Sequence, residues 1–262
     1  MCRACPSRRW LLGALAAVPL AACSENVETG RNQLILVDDG QLAGLADQAW
    51  SDLRGKTPLL RDPEAQARVG RVGAGIAKAT GRTDLDWGYA VFDSPDVNAF
   101  VLPNGKVAVF RGLLDAVRSD DELAAVMGHE AGHVVARHAA ERVSQQLAVQ
   151  AGVSLAQILL SEQAGENADE IAGALGMGAM YGVILPYSRK HELEADVLGL
   201  TLMEKAGHEP RAAVAFWERR IAEAKGQPNV PEVLSTHPAD ATRLARLREA
   251  VQTSPSASGG RG

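Results

Sequence analysis

The sequence has few of the residues that mark disulfide-stabilised, membrane-spanning or nucleic-acid-binding proteins. Only 3 of its 262 residues are cysteine, and 4% are aromatic. A formal net charge of −5 argues against nucleic acid as a partner. No uninterrupted apolar run reaches the ~18 residues typical of a membrane-spanning helix. The remaining composition, 46% hydrophobic and 23% charged, is that of a globular protein.

Residues 1–22 have the features of a bacterial lipoprotein signal peptide: a basic region followed by an apolar stretch too short to span a bilayer. Leu20–Cys23 resembles the lipobox, which predicts lipidation of Cys23; a plain small-residue cleavage site is the alternative. Ser24, in place of an aspartate, favours a periplasmic protein anchored at the inner leaflet of the outer membrane. Arg8-Arg9 leaves both the general secretory and the twin-arginine export routes open.

Residues 23–252 are predicted to form one mostly helical α+β domain, followed by a disordered tail at 253–262. Strand signals are confined to residues 86–110, where Asn104-Gly105 marks a hairpin turn, so we expect a small, mostly antiparallel sheet. Two very apolar stretches are expected to be buried helices, with a lid or a membrane-touching helix pair as the alternative. They are Leu147–Leu160 and Ile171–Leu185.

The pattern that carries the most chemistry is His129-Glu130-Ala131-Gly132-His133. Ser119 is a good N-cap for an apolar helix that extends to about residue 140. Residues four apart share a face of a helix, so both imidazoles can reach one Zn²⁺, with Glu130 beside them as a base for water. The sequence predicts one zinc ion per chain; two surface histidines beside an exposed glutamate are the alternative.

A hydrolytic zinc site needs a third protein ligand. The metzincin arrangement, with a histidine six residues after His133, is absent because residue 139 is alanine. His138 lies about 140° around the helix from His133, which predicts a surface or packing residue. The third ligand is therefore expected from another helix.

The segment 188–196 is predicted to supply that ligand. Glu192 and Asp196 are four residues apart and share a helix face. Beside the first motif this favours Glu192 as ligand, with His191 as an alternative, and Asp196 as acceptor of a hydrogen bond from a zinc-bound histidine. Glu194 lies about 200° from Glu192 and is expected to face solvent.

Taken together, these residues resemble the zinc metallopeptidases of the HtpX and CaaX-prenyl-endopeptidase family, most closely its soluble periplasmic lipoprotein branch. The resemblance extends from about residue 27 to 250, without the long transmembrane segments of the membrane-embedded members. The matching motifs are Asn98-Ala99-Phe100 with Pro103-Asn104-Gly105, His129–His133, Ser188-Arg189 with Glu192–Asp196, and Thr236-His237-Pro238 followed by Arg243.

The resemblance implies a zincin-like fold and a role for each matching residue. Glu130 is implied to be the general base. His237 is implied to lie near the active site, where it stabilises the oxyanion or binds zinc as a fourth ligand in a latent enzyme. Arg243 pairs with an acid or a substrate carbonyl, or lies on a helix surface. The implied zinc ligands are His129, His133 and Glu192, with Asp196 behind a ligand histidine.

The predicted hairpin offers a place for substrate. Its edge strand is expected to consist of Asn98, Ala99, Phe100, Val101 and Leu102. An extended peptide can pair with such an edge through its backbone, which accepts varied side chains and suits unfolded polypeptides. An ordinary hairpin is the alternative.

These observations predict a zinc endopeptidase that cleaves misfolded or misassembled envelope proteins. One alternative is a latent or chaperone-like outer-membrane assembly factor with little proteolysis. Another is a zinc hydrolase that acts on peptidoglycan peptides or another non-protein amide. The predicted partners are unfolded polypeptides and, through the lipid anchor, the membrane; nothing in the sequence indicates an oligomeric state.

Overall fold

The computed structural model describes residues 23–160, 187–224, 237 and 241–253. The predicted signal peptide, the apolar stretch 171–185 and residues 254–262 lie outside this part of the chain. The elements are β1 (Cys23–Asn26), β2 (Arg31–Leu34), α1 (Asp39–Lys56), α2 (Pro63–Thr80), β3 (Gly88–Phe92), β4 (Ala99–Val101), β5 (Lys106–Phe110), α3 (Arg111–Ala116), α4 (Asp120–Val135), α5 (His138–Leu160), α6 (Arg189–Lys205), α7 (Arg211–Ala224) and α8 (Ala241–Thr253).

The predicted α+β class is confirmed, with helices around two small sheets. β1 and β2 form an antiparallel ribbon that pairs Cys23 with Leu34. The other sheet has the order β3-β5-β4, in which β4 pairs antiparallel with β5 as the hairpin predicts. β3, however, runs parallel to β5, because the chain reverses twice between them and β5 takes the central position. The sheet is therefore mixed, and β4 lies at its edge.

Helix α4 lies at the centre of the fold. Ser119 caps it as predicted, accepting a hydrogen bond from the backbone N–H of Glu122 at 3.2 Å. Every residue from Glu122 to Val134 is buried, and the helix packs against α2, α6, α7 and β4. A helix with apolar residues on all sides must be covered on all sides. The polar side chains that α4 carries are therefore held in the interior.

Two glycines allow α4 and α6 to approach backbone to backbone. A Cβ atom on Gly132 would lie 2.7 Å from the carbonyl oxygen of Ala195, and one on Gly199 would lie 2.8 Å from the backbone nitrogen of His129. Any larger residue would hold the helices apart. This contact brings the His129–His133 turn of α4 against the Glu192–Asp196 turn of α6.

Helix α4 ends earlier than its apolar pattern predicts. Ala136 caps it, and Arg137 takes a left-handed conformation with φ of 55°, so that α5 begins a new axis at His138. The first predicted apolar stretch forms the C-terminal part of α5, but it is not buried as predicted where its side chains are described, since Val149 is 67% exposed. Within the described residues no helix combines the length and the apolar character that crossing a membrane requires.

Candidate metal centre

Four buried side chains meet where α4 faces α6. His129 and His133 come from α4, Glu192 from α6, and His237 from the segment before α8. One ligand atom from each lies within 4.8 Å of the others. Within the part of the chain that the structure describes, this is the one group of His, Cys, Asp and Glu side chains able to hold a metal ion. His191, the alternative ligand, is instead buried against Glu141, with its Nε2 at 3.1 Å.

The outer nitrogen of His129 is held by a carboxylate. Its Nδ1 lies 2.9 Å from Asp196 Oδ1, and Arg243 donates from Nε to Asp196 Oδ2 at 2.7 Å. Burial and the Arg243 guanidinium disfavour the charged form of His129, but hydrogen bonds to Asp196 and Glu192 outweigh both and raise its pKa to about 9. Because an ionised carboxylate only accepts, Nδ1 carries a proton, and loss of the second proton, from Nε2, would leave a lone pair directed inward.

The outer nitrogen of His133 is held by another imidazole. Its Nδ1 lies 2.8 Å from Nδ1 of His138, a residue with no solvent exposure. Of the two places the sequence left open for His138, surface or packing, the interior is observed. Its helical-wheel angle does not apply, because the chain breaks at Arg137 between the two histidines. Burial lowers the pKa of His138 to about 4, so this ring is neutral near pH 7.

The helical-wheel position of Glu194 predicts that it faces solvent, but the structure shows its side chain largely covered. Its carboxylate lies 2.9 Å from His138 Nε2 and accepts from Arg31 Nε at 2.7 Å. The reason is that the β1–β2 ribbon covers this side of α6, and a helical wheel carries no information about a segment more than 150 residues away in the chain.

The inner face of the group fits a cation. Nε2 of His129 and Nε2 of His133 lie 3.1 Å apart, and His129 Nε2 lies 3.3 Å from Glu192 Oε2. With both Nδ1 atoms engaged behind the rings, the two Nε2 atoms point at each other. Lone pairs and a carboxylate at such distances repel unless a proton or cation lies between them. Two imidazoles and one carboxylate form a common zinc ligand set.

Glu130 lies beside this group and is 3% exposed. Burial raises the pKa of its carboxyl above the ordinary value. Its Oε1 lies 3.2 Å from His237 Nε2. The structure therefore places the predicted base within reach of a reactant at the histidines, and a raised pKa suits a group that must both take and return a proton.

His237 and Arg243 are both part of the buried cluster. His237 Nδ1 lies 3.2 Å from His129 Nε2 and 3.1 Å from Glu192 Oε1. Arg243 donates to the His237 carbonyl at 3.1 Å, and its guanidinium stacks 4.4 Å from the Trp217 ring centre. For Arg243 the sequence left a surface position open; the observed position is buried against acids.

Tyr187 is a neighbour of the centre that the sequence motifs do not predict. Its ring stacks on His133 with centroids 3.8 Å apart. Arg142, on α5, lies 3.9 Å from the Tyr187 ring centre. Burial raises the pKa of Tyr187 to about 12, which keeps the phenol neutral. A signal existed in the sequence: Tyr187 immediately precedes Ser188, the N-cap of the helix that carries Glu192.

The predicted substrate strand lies next to the centre. Ala99–Val101 form β4, flanked by buried Asn98 and Leu102, and β4 packs against α4. Phe100 is partly buried against the Phe110 ring. A cavity of about 210 Å³ extends from Val101 to His133 and Tyr187. The structure thus joins an edge strand to the candidate metal site, while the pairing of a substrate with that strand stays a prediction.

Comparison with known proteins agrees with this site. A sequence model described as peptidase family M48 matches residues 63–251. The chain is 40% identical over 182 residues to mitochondrial metalloendopeptidase OMA1 of Schizosaccharomyces pombe, covering 69% of this chain and 51% of that protein. It is 33% identical over 231 residues to the mitochondrial metalloendopeptidase OMA1 of Homo sapiens, covering 84% and 44%. It is 29% identical over 215 residues to the beta-barrel assembly-enhancing protease of Escherichia coli K12, covering 80% and 43%.

The chain spans about half, or less, of the length of these relatives. Their names support a metalloprotease, and they do not support the narrower HtpX and CaaX-prenyl-endopeptidase grouping that the motifs resemble. Because the family match covers most of the sequence and includes all four residues of the buried group, the chain belongs to peptidase family M48, a family of metallopeptidases.

Proposed function

We propose that the chain is a zinc-dependent endopeptidase that cleaves misfolded or misassembled envelope proteins. The observation that carries this proposal is the buried group of two histidines and Glu192 with a second carboxylate, Glu130, beside it. A site for metal storage or structure has no need of that extra carboxylate. The name of the Escherichia coli relative, a beta-barrel assembly-enhancing protease, supports an envelope substrate.

In this proposal His129, His133 and Glu192 hold one zinc ion per chain. The chemistry that bound zinc supplies at such a site is polarisation of a carbonyl and a lower pKa of water. Asp196 and His138 keep each ligand ring in the tautomer with an inward lone pair.

The proton transfers belong to Glu130. Its carboxylate takes a proton from water as the water oxygen bonds to the scissile carbonyl carbon. It then gives that proton to the amide nitrogen as the C–N bond breaks, which regenerates the carboxylate. His237 Nε2, 3.2 Å from Glu130 Oε1, is placed to donate a hydrogen bond to the oxygen on which negative charge develops.

The substrate is an unfolded polypeptide in this proposal. β4 is an edge strand of its sheet and lies against α4, so a peptide added to it would run past the metal centre. Lipidation of Cys23 would keep the enzyme in the periplasm, at the inner leaflet of the outer membrane. That location rests on the Leu20–Cys23 sequence and on Ser24.

The test is cleavage of reduced casein by the zinc-loaded chain and by a Glu130→Gln variant. We expect the parent to cleave and Glu130→Gln to retain zinc, measured by mass spectrometry, while turnover falls by at least ~10²-fold. Cleavage by the variant at the parent rate would refute the role of Glu130. A parent chain that binds no zinc would refute the proposal as a whole.

A latent state is a second candidate, because one observation favours it. His237 Nδ1 lies within 3.2 Å of both His129 Nε2 and Glu192 Oε1, a position from which it could occupy a metal coordination site. If His237 blocks the site, a His237→Ala variant will cleave casein faster than the parent. If His237 donates to the oxyanion, the same variant will be slower by ~10–10³-fold at unchanged zinc content.

A further inference from the structure

Arg31, on the N-terminal ribbon, joins two carboxylates behind the metal centre. Its Nη1 and Nη2 donate to Glu141 at 2.7 and 2.6 Å, and its Nε and Nη2 donate to Glu194 at 2.7 and 3.0 Å. The three side chains are between 6% and 17% exposed. Paired, planar contacts of this kind fix a carboxylate in orientation as well as in position.

From Glu194 the contacts continue to a ligand ring. His138 Nε2 lies 2.9 Å from Glu194 Oε2, and His138 Nδ1 lies 2.8 Å from His133 Nδ1. Because the carboxylate only accepts, His138 carries its proton on Nε2 and leaves Nδ1 as an acceptor. His133 must then donate from its own Nδ1, which turns the lone pair of its Nε2 toward the centre.

The other ligand histidine has the same kind of support. His129 contacts Asp196 at 2.9 Å, and Arg243 fixes Asp196 through bonds of 2.7 and 2.9 Å. Each ring is therefore backed by a carboxylate that an arginine holds. On the His133 side, the imidazole of His138 lies between the ligand ring and the carboxylate of Glu194. The arginine that holds this carboxylate is Arg31 on β2, 102 positions before His133 in the chain.

We propose that Arg31 is a positioning residue of the metal centre, which acts through Glu194 and His138 to fix the tautomer and orientation of His133. This inference rests on the proposed zinc site. The β1–β2 ribbon would then contribute to metal binding as well as packing against α5 and α6.

The experiment measures the zinc dissociation constant by competition with a chromophoric chelator, and the fold by circular dichroism. The variants are Arg31→Ala, Arg31→Lys and Glu194→Gln. Ser144→Ala is the matched control, because Ser144 Oγ accepts from Leu36 N at 2.8 Å and so docks the same segment without touching either carboxylate. We expect about 10-fold weaker zinc binding for Arg31→Ala and Glu194→Gln, partial rescue in Arg31→Lys, and parent affinity in Ser144→Ala.

The double variant Arg31→Ala with Glu194→Gln tests the route. If Arg31 acts through Glu194, the double variant will bind zinc no more weakly than the weaker single variant. Zinc affinity within twofold of the parent in folded Arg31→Ala, with only a lower melting temperature, would overturn the inference and leave Arg31 a docking residue. Should Arg31→Ala fail to fold, parent affinity in folded Glu194→Gln would overturn it instead. A parent without zinc affinity would contradict the proposed function itself.

Discussion

Replacement of Gly199 by alanine tests whether the backbone contact between α4 and α6 sets the metal centre. A Cβ atom at this position would lie 2.8 Å from the backbone nitrogen of His129 and 3.0 Å from its Cα. These are main-chain atoms of a buried helix, so no side chain can rotate away. Gly199 is seven residues, or about two helical turns, beyond Glu192 and so lies on the same face of α6. A methyl group added at Gly199 would therefore displace the face that carries Glu192 and Asp196.

The size of the effect follows from the distances. Ordinary contacts of a Cβ atom begin at 3.4 Å, so α6 must move away from α4 by roughly half an ångström at Gly199. Overpacking of this kind costs about 1–3 kcal/mol, and the better helix propensity of alanine offsets about 1 kcal/mol. We therefore expect a net loss of about 0–2 kcal/mol in unfolding free energy and at least ~10-fold weaker zinc binding.

The assay is urea unfolding followed by circular dichroism, with zinc affinity measured on the folded protein. Gly70→Ala is the matched control, since Gly70 lies inside α2 and a Cβ atom there meets nothing within 4 Å. It should be neutral or more stable by up to ~1 kcal/mol, with parent zinc affinity. A Gly199→Ala protein as stable as Gly70→Ala, with unchanged zinc affinity, would show that the helix contact does not set the site.

Two further changes address the buried charges. Asp196→Asn removes the anion behind His129 and should weaken zinc retention ~10–100-fold during dialysis against a chelator, with an unchanged circular dichroism spectrum; full retention would contradict the tautomer argument. Burial opposes ionisation of Glu141, but hydrogen bonds from Arg31 and His191 lower its pKa from 4.5 to about 2. A lowered acid pKa stabilises the fold above pH 4.5, and this contribution is lost as the pH falls toward 2. Glu141→Gln should therefore be less stable than the parent by on the order of 2 kcal/mol at pH 7. In urea titrations this difference should shrink between pH 4.5 and 2, and a pH-independent difference would refute the assignment.

The sequence predicts the residues that meet at the centre because they follow local rules. Ser119 and the apolar pattern after it indicate the helix, and the four-residue spacing places His129 and His133 on one face. The same spacing places Glu192 and Asp196 on one face of α6, where both carboxylates contact His129. Local periodicity was sufficient for these four residues.

Other features of the site depend on long-range packing, which periodicity does not contain. His138 reaches His133 because Arg137 ends α4 in a left-handed conformation, and nothing in the apolar pattern marks that break. Glu194 is covered by Arg31, which lies 163 positions earlier in the chain. Tyr187 stacks on His133 from outside any helix. The contacts of His138 and Glu194 were not predicted because a helical wheel assumes one continuous axis and a free outer face, and Tyr187 lies outside the helices to which that rule applies.

The same distinction separates the choice of ligands from their orientation. Motif spacing brings the lone-pair donors to facing turns of α4 and α6, and the glycine contact sets the distance between those turns. Orientation comes from elsewhere, because a ring on a helix can still present either nitrogen. Here Arg243 from α8 and Arg31 from β2 each hold a carboxylate, one on either side of the pair of rings. In the proposed site, strand β2 and helix α8 therefore determine which nitrogen each histidine presents to the centre.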